Sequence, residues 1–413
     1  MAVIIYIVFL GAAFLYNFRK KGFNASSFLI FIYLLSSIIA AVLLLFYDFY
    51  DASRIVWYAV VYHLVCLYLF LAPLVKVINR YSYRFHFREN WGIRMFSYIS
   101  ITLCSLAIVS AATKFKTILS MDNLSLARTL YNRGELHDGG SSGLLEYFGT
   151  IGGMFSYVAL FFFFYYLIFY PKQKLLIILL LVASFADPLY SLSAVGRGGI
   201  IRWGLLFVFF YLFFKNQLTR KVKRIIFKSV LFLCGPLVVV FLLITLSRFT
   251  GRDNPVIYFI LSYLGQSFIY FSYNFDLFFN DTFGGRMNFP IFFPNSPGIS
   301  DQLNEEIVAD HYLNTFSTFV GSFYKDMGFF KTLILALLFN LLASISYKYT
   351  RKPYSFVRTI VLVILLQIFL NGLFYYMYSG TTAMRSIILI VILAVTIQLF
   401  FRRVRPLKKT NEA

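Results

Sequence analysis

The sequence predicts an all-α integral membrane protein of about eleven transmembrane helices, and three observations carry that prediction. The 413 residues are 60% hydrophobic and 13% charged, whereas soluble domains carry about 25% charged residues. The apolar residues gather in successive runs of about 20, the length one helix needs to cross a bilayer. The formal charge of +21 lies between those runs, which makes it a topology signal before it is a sign of any anionic partner such as nucleic acid. The composition excludes an ordinary water-soluble enzyme, and with 51 Phe and 31 Tyr it also excludes disorder.

The elements follow in order. The first run, 2–18, starts with no basic segment ahead of it and reads as a retained span, not a cleaved signal peptide. Spans follow at 28–47, 55–78 and 93–112, and a first outer loop occupies about 113–146. The chain then crosses at 147–170, 175–195, 199–214 and 229–247. A large outer loop at about 248–328 precedes the last three spans, 329–347, 355–376 and 386–401. A basic cluster follows every second span: Arg19–Lys21, Lys76–Arg94, Lys172 with Lys174, Lys215–Lys228, Lys348–Arg358 and the tail from Arg402. These clusters hold most of the 38 basic residues, and only Glu89 and Glu412 among the acids accompany them. By the positive-inside rule that face is cytoplasmic, so the N-terminus is outside and the C-terminus inside.

The aromatic run 256–279 is long enough to span, but a crossing there would make the acidic stretch Asp301–Asp310 cytoplasmic and Lys348–Lys352 external. It therefore reads as an interfacial or re-entrant helix within the outer loop. Cys66, Cys104 and Cys234 all fall inside spans and offer neither a disulfide framework nor a metal spacing. No repeat, low-complexity tract or linker divides the chain, which reads as a single polytopic domain over 1–413.

Motifs of soluble enzymes are missing: there is no phosphate-binding Gly-rich loop with Lys, no H-E-x-x-H and no nucleophile elbow. No cofactor or metal is expected. What remains is a set of arginines at the outer boundary. Arg197 and Arg202 lie in AVGRGGIIRWG, Arg248 and Arg252 in SRFTGRD, and Arg385 in SGTTAMRS. Arginine offers a permanently charged planar fork for phosphate, so together they read as a diphosphate cradle, with Gly196, Gly198 and Gly199 letting backbone come close. The plainer reading of each is a side chain that reaches to lipid headgroups or pairs with an outer acid. Asp187, before Pro188 in span six, is an intramembrane carboxylate with either a direct role or an arginine partner. In the large loop Glu306, Asp310 and His311 share one helical turn. His311 starts nearest to neutral pKa and is the candidate general base; otherwise these groups form a solvated acidic loop. His63 lies mid-span and reads as a core hydrogen-bonder.

The segment NTFSTFVGSFYKDMGFF resembles the T-x5-Y-x-D-x-G segment found late in bacterial oligosaccharide repeat-unit polymerases, the O-antigen polymerase (Wzy) family. Thr318, Tyr324, Asp326 and Gly328 match that spacing. The chain is also similar in its span number, in the glycine-flanked Arg197 opening a middle helix and in the large outer loop, so the likeness covers about 190–390. The related O-antigen ligases carry a His and Asn ahead of a Glu, whereas here His311 precedes Asn314 and an Asp. The resemblance implies a GT-C-like membrane glycosyltransferase of the bacterial inner membrane that polymerises undecaprenyl-diphosphate-linked oligosaccharide repeats at the outer face. It implies Asp326 among the catalytic groups beside His311, Asp310 and Glu306, with Thr318, Tyr324 and Gly328 as motif or acceptor residues. The partners implied are the lipid-linked oligosaccharide and membrane lipids, with room for a chain-length regulator. An O-antigen ligase and a lipid-linked oligosaccharide flippase or other transporter stand as alternatives.

Overall fold

The computed structural model describes residues 2–47, 50–84, 89–119, 142–194, 196–226, 235, 255–273, 275–276, 278–279, 282–293, 316–348 and 355–401. Among these residues the secondary structure is helical, without strands. The helices are α1 Val3–Lys21, α2 Ala25–Phe46, α3 Trp57–Arg84, α4 Trp91–Leu119, α5 Ser142–Phe169, α6 Lys174–Ser184, α7 Ala186–Leu192, α8 Gly198–Phe214, α9 Pro255–Tyr273, α10 Thr318–Lys348, α11 Phe356–Asn371 and α12 Thr381–Phe401. Eight stretches of this set are long and apolar enough to cross a membrane, and α8 and α11 are shorter apolar helices. The chain is thus built as a multi-pass membrane protein. It packs as two units, one of Met1–Arg84, Val256–Lys352 and Leu366–Met384, the other of Phe85–Pro255, Pro353–Leu365 and Arg385–Ala413.

In the first unit, helix ends are set by local chemistry. α1 closes at Gly22 (φ 65°), whose N–H bonds to the Phe18 carbonyl, and its last turn carries Arg19, Lys20 and Lys21 toward the negative end of the helix dipole. Asn24 then caps α2 by accepting from the Ser27 N–H at 2.9 Å. Beneath that turn, Asn17 donates to Ser26 and Ser27, and Asn79 donates to Asn17, so the polar groups of α1, α2 and α3 satisfy one another. In the loop between α2 and α3, the Ser53 hydroxyl and N–H bond to the Asp51 carboxylate and hold its pKa below the ordinary range.

Two further contacts repair what the sequence breaks. Pro73 inside α3 cannot donate to the Leu69 carbonyl, and Asn340 of α10 donates its amide there at 2.8 Å. At the start of α10, the N–H groups of Ser317 and Thr318 reach the Phe374 carbonyl, each at 3.1 Å, and that of Phe319 reaches Gly372 at 2.8 Å. Donors that open one helix thereby meet acceptors that close α11, as a site with no water requires. Much of α10 faces outward, with Phe330, Ile334, Leu337, Leu341 and Leu342 exposed, as on a helix that meets lipid.

The second unit is organised around α5, whose residues Tyr157–Tyr166 are buried without a gap. A methyl group at Gly152 would stand 2.2 Å from the Leu103 carbonyl oxygen of α4, so only glycine permits this approach. Cys104, a lone thiol here, donates to the Gly152 carbonyl at 3.4 Å. On the other flank Trp203 of α8 stacks between Phe185 and Phe207 and donates to Ser184 at 3.1 Å.

The fold revises two expected spans. The run 175–195 is two helices, α6 and α7, separated at Phe185. Pro188 lacks the N–H that would bond to the Ser184 carbonyl, so one continuous helix would lose a link where α6 stops. The late span expected from 329 begins instead at Thr318 and turns at Gly328 (φ 74°, ψ −173°). The aromatic run expected as an interfacial element is helical from Pro255 to Tyr273.

Candidate functional site

Each unit holds one cluster of the expected residues. In the second unit the cluster forms at the helix break. Asp187 sits in the first turn of α7, where a carboxylate complements the dipole. Its two oxygens face the guanidinium of Arg202 on α8 at 2.9 Å and 3.1 Å from Nη2, while Nε lies 3.2 Å away. Tyr157 of α5 donates its hydroxyl to the same carboxylate at 2.6 Å and accepts from Arg202 Nε at 3.0 Å. Asp187 is buried and Arg202 keeps little exposure. The pair is neutral in sum and nearly saturated with hydrogen bonds, which is the condition under which charges persist in an apolar interior.

Arg197 stands one turn earlier, as the residue that opens α8, and is itself buried. Gly198 and Gly199 follow it. A Cβ at Gly199 would lie 2.7 Å from the Asp187 carbonyl oxygen and 2.6 Å from Ser191 Cβ, so α7 and α8 touch backbone to backbone here. The Ser191 hydroxyl accepts from the Gly199 N–H at 3.1 Å and its carbonyl accepts from Gly196 at 2.8 Å. The result is a positively charged residue at a helix N-terminus, where dipole and free N–H groups already favour an anion.

Thus the structure brings Arg197 and Arg202 together on one helix but assigns them different states. Arg202, expected in a diphosphate cradle, has its fork committed to Asp187; the alternative of an arginine–acid pair is the one realised. Arg385 lies on α12 and is exposed. Arg248, Arg252, Glu306, Asp310 and His311 lie outside the described residues.

In the first unit the four residues of the T-x5-Y-x-D-x-G segment work as anchors. Thr318 adopts a positive φ of 61°, and its hydroxyl lies 2.9 Å from His63 Nε2, whose Nδ1 is 2.8 Å from the Tyr6 hydroxyl. His63 is thereby a core hydrogen-bonder, linking α1, α3 and α10, and it stacks on Phe271 at 4.1 Å. Tyr324 donates to the Phe275 carbonyl at 2.7 Å and stacks on the Phe275 ring at 4.9 Å. Asp326, expected among the catalytic groups, has no exposed surface. Its carboxylate accepts from the backbone N–H groups of Gly285 and Met287 at 3.1 Å and Asn288 at 2.7 Å. This geometry belongs to a positioning group that fixes a turn, not to a base open to substrate. Gly328 adopts a combination of dihedrals that essentially only glycine tolerates, with Thr282 Cγ2 2.9 Å from where a Cβ would be.

Two residues of these clusters were not singled out by sequence. Tyr157 lies in an unbroken apolar run and carries no signal of its own. Arg286 did carry one: it follows Gly284 and Gly285, both at positive φ, in the segment between α9 and α10. Asp326 bonds the residues on either side of Arg286, whose side chain is exposed. A buried carboxylate therefore presents an outward arginine. Lys325, next to Asp326, is buried with its ammonium 6.0 Å from the centre of the Phe278 ring.

No family model matches the chain, and no curated protein or solved structure matches it.

Proposed function

We propose that the protein polymerises polyprenyl-diphosphate-linked oligosaccharide repeats at the outer face of a bacterial inner membrane. The observation that carries this reading is the buried Arg197 at the glycine-lined start of α8, the helix whose Arg202 pairs with Asp187. A buried guanidinium at a helix N-terminus, at a break between membrane helices, suits the diphosphate of a lipid carrier. The eleven-span GT-C-like architecture and the outside N-terminus belong to the same proposal.

In the reaction the bond between the anomeric carbon of the growing chain and its phosphate oxygen breaks. A bond to a hydroxyl oxygen of the incoming repeat forms. The hydroxyl proton passes to a base, for which His311, Asp310 and Glu306 are the proposed groups, and undecaprenyl diphosphate leaves with the bonding electrons. Arg197 meets the charge that grows on that leaving group, an interaction that strengthens toward the transition state and so raises the rate. Asp187 and Tyr157 tie Arg202, and with it α8, to α7 and α5, so Arg202 acts as a positioning residue for the helix that Arg197 opens.

Membranes that contain full-length Arg197→Ala, supplied with lipid-linked repeats, should retain single repeats and lose polymer by at least 100-fold. Normal polymer length in that variant would remove Arg197 from the mechanism. A second reading, a lipid-linked oligosaccharide transporter, is favoured by one observation: a discontinuous helix with an ion pair at the break, as transporters often have. The product separates the two. A polymerase lengthens the supplied glycan, whereas a transporter moves it across vesicles unchanged.

A further inference from the structure

We propose that an aromatic groove at the N-terminal end of α3 binds the terminal sugar of a neutral glycan through ring faces and one carboxylate. The groove has a volume of about 630 Å³ and lies wholly within the first unit. Trp57, Tyr58, Phe279 and Phe329 line it together with the carboxylate of Asp276. Trp57, Tyr58, Phe279 and Asp276 are all exposed.

The chemistry selects the occupant. The electron-rich faces of aromatic rings attract the weakly positive C–H groups on one face of a pyranose. The Tyr58 hydroxyl lies 3.2 Å from both oxygens of Asp276. A carboxylate has about four acceptor sites, so Asp276 keeps capacity for two neighbouring sugar hydroxyls. Among the described residues no Lys or Arg lines the groove, and the Asp276 carboxylate repels phosphate. This disfavours a lipid headgroup or a diphosphate and leaves an uncharged polyol with a C–H face. An acyl chain would fill the apolar floor but would gain nothing from Asp276.

The groove is also fixed in shape. Tyr324 stacks on Phe275 and bonds to its carbonyl. Tyr62 bonds to the Phe329 carbonyl at 2.7 Å and packs on that ring at 4.4 Å. Gly328 turns the chain so that Phe329 meets the floor. Two residues of the segment that the family resemblance singles out, Tyr324 and Gly328, thus support the lining residues Phe275 and Phe329, which makes a preorganised site that loses little freedom on binding. For the origin of its glycan the proposal rests on the polymerase reading.

Purified full-length protein is titrated with neutral methyl hexopyranosides and followed by tryptophan fluorescence. Expected are a saturable change with the wild type, its loss in Trp57→Phe, and at least 10-fold weaker binding in Asp276→Asn. Undecaprenyl phosphate vesicles should not compete. Absence of a saturable change, equal binding by Asp276→Asn, or displacement by the vesicles would overturn the sugar subsite. Lengthening of lipid-linked repeats is measured on the same preparation. Polymer made without sugar binding sinks the subsite alone, whereas sugar binding without any lengthening supports the subsite and sinks the polymerase reading.

Discussion

Asp187 decides what Arg202 can do, and its removal is informative because the two failures it causes are separable. Asp187→Ala strands a guanidinium in an apolar interior, which costs about 3–5 kcal/mol when a buried pair is broken from one side. The paired substitution Asp187→Leu with Arg202→Met removes both charges and should recover most of that stability, since apolar replacement of a buried pair is often neutral. Unfolding in mixed micelles measures both. Strictly additive losses would mean that the two groups do not share one interaction. Polymer should be absent in both variants, because neither keeps the bond that ties α8, and so Arg197 at its start, to α7. At this scale the sequence was half legible. An aspartate before Pro188 inside an apolar run is unusual enough to be noticed, and the pairing was one of two readings open for it. Tyr157 was invisible, because a buried tyrosine amid aromatics looks the same whether or not its hydroxyl is engaged. Asp326 shows the opposite limit: its spacing was legible, but whether its oxygens face substrate or backbone depends on a turn 38–41 residues earlier.

Helices α3 and α10 show how an element defect is repaired by its neighbour. Asn340→Leu leaves the Leu69 carbonyl without its donor in an environment that has no water, and the expected cost is about 1 kcal/mol. Combined with Pro73→Ala, which restores the helix bond, the same substitution should cost almost nothing. A full cost in the double variant would show that Asn340 acts elsewhere. Gly328→Ala tests a conformation and not a contact. The backbone there is nearly glycine-only and the added methyl meets Thr282, so a loss of about 1–3 kcal/mol is expected, with rearrangement of the 282–289 turn. Faster amide exchange of Gly285, Met287 and Asn288 would report that rearrangement; unchanged exchange would count against a shared anchor. Sequence located these helices well because apolar runs of spanning length are unambiguous. It misplaced two boundaries, at Phe185 and Thr318, because breaks within an apolar run alter hydrogen bonds without altering hydropathy.

On the scale of the whole chain, charge was the legible quantity and packing was not. The split of basic residues fixes an expected orientation from composition alone, whereas a contact such as that from the Tyr33 hydroxyl to the Phe369 carbonyl joins residues 336 apart and leaves no local mark. The grouping into two units rests on such contacts. Orientation is what the outer-face chemistry depends on, and the weak point is α9, since a crossing there would invert everything after it. Cysteines placed at exposed Ser53, between α2 and α3, and at Phe292, after α9, report on two loops expected outside, and one at Lys172 on a loop expected inside. Native Cys66 and Cys104 are buried, and Cys234 is replaced by Ala in every variant. If α9 stays on the outer side, an impermeant maleimide should label Ser53→Cys and Phe292→Cys in intact spheroplasts, and Lys172→Cys only after permeabilisation. Labelling of Ser53→Cys but not Phe292→Cys would change the number of crossings between these loops by one, as a crossing α9 would. The start of α10, with Asp326 and the turn that carries Arg286, would then face the cytoplasm, away from any outer-leaflet glycan.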